Sequence, residues 1–117
     1  MVKDNWIFLN AVSENSNGSE YKIANIGSQT TIGISVSTSP TVSATPVTYT
    51  IYFECIGNTG DYDVMGVWDE KNMDLVTSAT EASGTYFTAE LTAKTKFRVR
   101  AANIANGTLT VHGKAVE

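Results

Sequence analysis

Apolar residues recur at every second position along most of the chain, the period of strands that turn one face to a core. Near the N-terminus Trp6, Phe8 and Asn10 alternate with Ile7, Leu9 and Ala11, so this run is apolar on both faces. A turn follows over Ser13 to Ser19, whose Ser, Asn and Gly residues bond their own backbone or accept left-handed conformations. Tyr21, Ile23 and Asn25 begin a short second strand that stops at Gly27. From Thr30 to Ser37, Ile32, Ile34 and Val36 point one way, and Thr31, Gly33, Ser35 and Ser37 the other. Ser, Thr and Pro dominate Ser37 to Pro46 and predict a loop. The longest alternation runs from Val47 to Cys55: Val47, Tyr49, Ile51, Phe53 and Cys55 share one face, and Thr48, Thr50, Tyr52 and Glu54 share the other.

A loop from Gly57 to Asp61 leads into a strand over Val64 to Trp68, and Asp69 to Asp74 reads as a polar turn. Further strands are predicted at Leu75 to Thr77 and Tyr86 to Leu91, with Ala79 to Gly84 connecting them. Phe97, Val99 and Ala101 alternate with Lys96, Arg98 and Arg100; Leu109, Val111, Gly113 and Ala115 alternate with Thr110, His112 and Lys114. Asn106-Gly107 between those two runs is a strong signal for a two-stranded hairpin. About eight strands, with turn signals every ~8–12 residues, predict an all-β fold: one antiparallel β-sandwich or jelly-roll-like domain. That domain is expected to span residues 1–117, with residues 1–12 serving as a docking strand, an N-terminal arm, or an ordinary strand covered on both sides.

Composition sharpens this picture. Nineteen Val plus Ile stand against four Leu, and 16 Thr with 10 Ser make up more than a fifth of the chain. β-Branched side chains are stiff at χ1 and pack well on a pleated surface, so a helical bundle is excluded. A net charge of −4 with eight Lys plus Arg provides no electrostatic footprint for nucleic acid. No apolar run approaches the ~20 residues that cross a bilayer as a helix. Met1 to Trp6 lack the apolar stretch of a signal peptide, which predicts a protein assembled in the cytoplasm.

Chemistry is thinly provisioned. Cys55 is the single cysteine, excluding an intrachain disulfide and a thiolate zinc cage, and its face marks it as a core residue. His112 is the single histidine and lies on the solvent face of its strand, with no nucleophile or orienting acid placed by motif. Asp61 and Asp63, with Asn58, supply some of the oxygens that calcium requires, although the EF-hand spacing is absent; solvated loop charge explains them, Asp69, Glu70 and Asp74 as well. Trp6, Tyr52, Tyr62, Trp68 and Tyr86 are candidates for stacking on sugar rings, and equally for filling a small core. Arg98 and Arg100 project from one strand face and are predicted either to pair with Glu54 and Glu90 or to face a partner. Asn17-Gly18-Ser19 and Asn106-Gly107-Thr108 fit the glycosylation pattern but are ordinary turns here.

The stretches Tyr52-Phe53-Glu54, Gly60-Asp61, Val67-Trp68, Gly84-Thr85-Tyr86, Phe97-Arg98-Val99-Arg100 and Gly107-Thr108-Leu109-Thr110-Val111-His112-Gly113 occur in that order. In this pattern residues 30–116 resemble small β-sandwich proteins from the virions of tailed bacteriophages, with Cys55 where those carry a small residue such as Ser. The resemblance implies a non-enzymatic virion structural protein, assembled in the host cytoplasm, with no cofactor and no nucleic-acid or membrane partner. Its first expectation is a capsid decoration protein that binds the major capsid protein or another virion protein as a homo-oligomer, a trimer among the options. A tail, baseplate or fibre component and a carbohydrate-binding module are the alternatives. Trp6, Phe8, Tyr52, Arg98 and Arg100 are the interface candidates.

Overall fold

The computed structural model describes residues 2–22, 31–40, 45–56, 61–91 and 96–116. Among these residues the chain forms eleven strands and no helix. In chain order they are β1 (Val2–Val12), β2 (Tyr21–Lys22), β3 (Thr31–Ser39), β4 (Thr48–Ile56), β5 (Tyr62–Val64) and β6 (Val67–Asp69). There follow β7 (Asp74–Val76), β8 (Ser78–Thr80), β9 (Tyr86–Glu90), β10 (Lys96–Ala105) and β11 (Thr108–Val116). The predicted stop of the second strand at Gly27, the loop around residues 41–44 and Asn58 lie outside the described residues.

The strands form an antiparallel β-sandwich. One sheet has the order β1-β11-β3-β9-β6-β7; the other runs β2-β10-β4-β5, with β8 paired beside β5 on the free side of β4. The alternations read from the sequence set which residues meet between the sheets. Ile32, Ile34 and Val36 of β3 face Ile51, Phe53 and Cys55 of β4 within one buried cluster. Two ring pairs cross the sandwich: Phe8 meets Phe97 edge-on with centroids 5.4 Å apart, and Phe53 meets Phe87 at 5.1 Å. Edge-on and tilted contacts of this kind add to the burial of the rings themselves.

Four expectations are corrected by the pairing. Residues 64–68 are not one strand, because the chain leaves β4 after Val64 and joins the opposite sheet at Val67. The connection expected over Ala79 to Gly84 begins with a strand residue set, since β8 pairs Ala79 with Ile51. Asn106-Gly107 does not close a hairpin: β10 and β11 belong to different sheets, and Asn106 takes a left-handed φ of 70° at the corner between them. The N-terminal segment is no detached arm, for β1 pairs with β11 along its length.

A bulge explains why β1 is apolar at consecutive positions. Ile7 pairs with His112 and Leu9 with Val111, so Phe8 is an extra residue on the β1 side. The kink turns Phe8 and Leu9 inward together, each 1% exposed, and leaves Ile7 at the surface. Phe8 also needs a glycine beneath it, because a Cβ at Gly113 would collide with its ring.

Candidate binding surfaces

The outer face of the five-stranded sheet carries a charged and aromatic layer. Its centre is Glu54 of β4, only 7% exposed, which accepts from Arg98 Nε at 2.9 Å and Arg100 Nε at 3.2 Å. Period two along β10 puts both guanidiniums on one face, and the register Arg98↔Glu54 and Arg100↔Tyr52 brings them over β4. Each also lies on a ring: Arg98 sits 3.7 Å from the centroid of Tyr62, and Arg100 4.3 Å from that of Tyr52. The Tyr62 hydroxyl donates to Glu20, which Lys96 approaches at 3.8 Å. Burial, the bond to Glu20 and the charge of Glu20 hold the Tyr62 phenol above its usual range, against the opposing pull of Arg98.

One carboxylate thus serves two guanidiniums. Replacing Glu54 by Gln should destabilise the fold by about 1–2 kcal/mol, below the cost of breaking a fully buried pair because both arginines reach solvent. Chemical denaturation of the variant and the parent checks this; equal midpoints would mean that the layer is decorative.

The outer face of the six-stranded sheet is of a different kind. Two rows of side chains cross it in register. One runs Lys114, Gly33, Thr88, Trp68, Leu75, and the other Ile7, His112, Ser35, Tyr86. The pairings Trp68↔Thr88 and Asp69↔Phe87 bring Glu70 opposite Tyr86, where the Glu70 N–H donates to the Tyr86 carbonyl at 3.2 Å. Trp68, Leu75 and Tyr86 are 39%, 67% and 48% exposed on this face. The Tyr86 ring lies along the sheet, its hydroxyl end filling the space where a Cβ at Gly33 would stand.

Asp69 anchors that end of the sheet. It is 1% exposed, correcting its reading as solvated loop charge. Its oxygens accept from the backbone N–H of Lys71 at 2.9 Å, of Asn72 at 3.3 Å and of Gly84 at 3.1 Å, and from the Asn72 side-chain amide at 3.1 Å. Burial pushes its carboxyl upward, but these donors outweigh it and hold the group below the usual carboxylate value of 3.8. One side chain thereby ties the β6–β7 turn to the approach of β9.

The remaining predicted residues are scattered. Phe8 is in the core and is lost as an interface candidate, while Trp6 is half-buried on β1. Tyr52, Arg98 and Arg100 come together in the Glu54 layer, and Glu90 instead accepts from the Thr31 hydroxyl at 3.1 Å. Asp61 and Asp63 are exposed on either side of Tyr62, and among the described residues no group of three or more His, Cys, Asp and Glu side chains is placed to hold a metal. Cys55 is buried, and His112 stands in the second row of the six-stranded face. A shallow depression lined by Asn15, Ser16, Asn17 and Arg100 flanks the Glu54 layer, pinned by the mutual backbone bonds of Ser16 and Ala101.

Sequence reasoning missed the grouping of Trp68, Glu70, Tyr86 and Thr88, and the role of Asp69. A signal for Asp69 was present, since Asp at the start of a polar turn commonly accepts from backbone two residues on. For the grouping, only the alternation within each strand was visible; the pairing of β6 with β9 was not.

This architecture is that of a two-sheet antiparallel β-sandwich. No protein-family model matches the chain, and no curated protein matches it. Two solved structures share its fold. The SPBc2 prophage-derived protein YomS superposes with a TM-score of 0.75 at 18% identity, covering 97% of this chain and 92% of YomS. The PBSX exported protein XepA gives 0.76 at 13% identity, covering 97% of this chain and 37% of XepA. The chain thus matches nearly all of the one protein and about a third of the other.

Proposed function

We propose that this is a phage-encoded, non-enzymatic protein that acts by binding, as a structural component of the virion. The observation that carries the reading is the fold, shared over 97% of the chain with a protein of the SPBc2 prophage and with one of PBSX. The sequence pattern over residues 30–116 supports it independently, through its resemblance to small virion sandwiches. The finer reading is capsid decoration: the protein binds the assembled shell, with the major capsid protein as partner, and stabilises that state by preferring it. Repetition through a homo-oligomer, such as a trimer, would let modest single contacts add up by avidity.

Quantitative mass spectrometry of purified particles tests this. Copies comparable in number with the major capsid protein are the expected result. A handful per particle would move the protein to the tail or fibre. Its recovery in the medium but not on particles would favour a released protein, as XepA is an exported protein.

A further inference from the structure

The six-stranded sheet carries a four-residue square on its outer face. Trp68 stands opposite Thr88, and Glu70 opposite Tyr86, so the two aromatic residues occupy one diagonal and Glu70 with Thr88 the other. The Tyr86 side chain leans over β3, its hydroxyl end at Gly33, so its ring lies on the side of β9 away from Trp68, and Thr88, which pairs with both Gly33 and Trp68, stands between the two rings. The polar diagonal is closed: the Thr88 hydroxyl donates to Glu70 Oε1 at 2.8 Å, which leaves Oε2 as an acceptor. The aromatic diagonal is open, with Trp68 39% and Tyr86 48% exposed. A tyrosine whose hydroxyl reaches Gly33 on β3 lies along the sheet rather than standing off it.

We propose that this square is a binding site for an uncharged saccharide, in particular a chain of β-linked hexopyranose units with equatorial hydroxyls. Such a sugar has flat faces of C–H groups and a rim of hydroxyl donors. Its faces match the Trp68 and Tyr86 rings, and its rim matches a carboxylate oxygen held in place beforehand. A carboxylate oxygen whose partner oxygen is already held by Thr88 is a ready acceptor for a sugar hydroxyl. The Glu70 charge selects against uronic acids and sialic acids. The open, flat face suits the side of an extended chain more than a chain end. Gly33 is a positioning residue, since its missing side chain lets Tyr86 lie down. The site stands on this sheet face alone and holds whether or not the protein belongs to a particle.

The experiment is titration of the purified full chain with cellohexaose and with chitohexaose, read by isothermal calorimetry and tryptophan fluorescence. Saturable binding of at least one is expected. Trp68→Ala should weaken it about tenfold or more, and Glu70→Gln about three- to tenfold. Gly33→Ala is the decisive variant: its Cβ displaces only the far end of Tyr86, so binding should fall about as far as in Tyr86→Ala while the thermal midpoint stays near native. Glu14→Gln, at an exposed position in the turn after β1, should bind as the parent does. Binding of neither probe overturns the proposal, as does binding that survives Trp68→Ala and Tyr86→Ala. A concentration-dependent dimer that Trp68→Ala abolishes, in a protein that ignores both sugars, would assign the face to self-association instead.

Discussion

A chain lacking residues 1–12 is expected not to fold. The segment supplies β1, paired with β11, and puts Phe8 and Leu9 into the core at 1% exposure each. Truncating a buried Phe costs about 3–5 kcal/mol and a buried Leu about 2–5. Together these approach the ~5–15 kcal/mol that holds a whole domain together, before the lost strand pairing is counted. Near-ultraviolet circular dichroism and dispersion of amide NMR signals would read the outcome. A folded truncation that no longer bound particles would instead revive the segment as a docking arm. The single variant Phe8→Ala separates the contributions: it should fold but lose about 3–5 kcal/mol, because the Phe97 edge contact and the Gly113 seat are left facing a cavity.

Replacing Asp69 by Ala should cost about 2–4 kcal/mol. The substitution strands the buried N–H of Gly84 and removes the acceptor for Lys71 and Asn72, and each unmet buried donor costs about 1–3 kcal/mol. The effect has a pH signature whose sign follows from the lowered carboxyl. A folded-state pKa below the unfolded one contributes stability that is present above the unfolded value of about 3.8 and is lost as pH falls through the folded value. The parent should therefore lose stability below about pH 4, and the gap between parent and Asp69→Ala should narrow there. Urea denaturation at pH 7 and pH 2.5 checks both statements. A gap unchanged by acid would mean that shape at position 69, rather than charge, carries the effect. The variant should also weaken any ligand bound at the Trp68–Tyr86 face, since the turn anchored by Asp69 holds Glu70 opposite Tyr86.

Much of the sandwich was legible in the chain. The inward sets of β3, β4 and β10 follow the alternation residue by residue, as Ile32, Ile34, Val36, Ile51, Phe53, Phe97 and Val99 all reach the core. The pairing of Arg98 and Arg100 with Glu54 was legible too, because two adjacent strands each offered charges on their outer face. The bulge in β1 was not, since an extra residue reverses the alternation locally without a composition signal at Phe8. Nor was the break at Met65-Gly66, where an unbroken apolar run conceals a change of sheet.

The division between the two levels has a physical cause. Side-chain periodicity and β-branched content are local properties, carried by each residue and its neighbours two positions away, so the sequence alone determined an all-β chain, its longer strands and most of its core. Which strands lie side by side depends on contacts distant along the chain. That is why Asn106-Gly107 became a corner between sheets rather than a hairpin, with β11 taken up by β1 and β3. It is also why Asp69 became a buried anchor for Gly84, 15 positions away. The square of Trp68, Glu70, Tyr86 and Thr88 exists only because β6 lies beside β9, and tertiary structure alone made a surface of it.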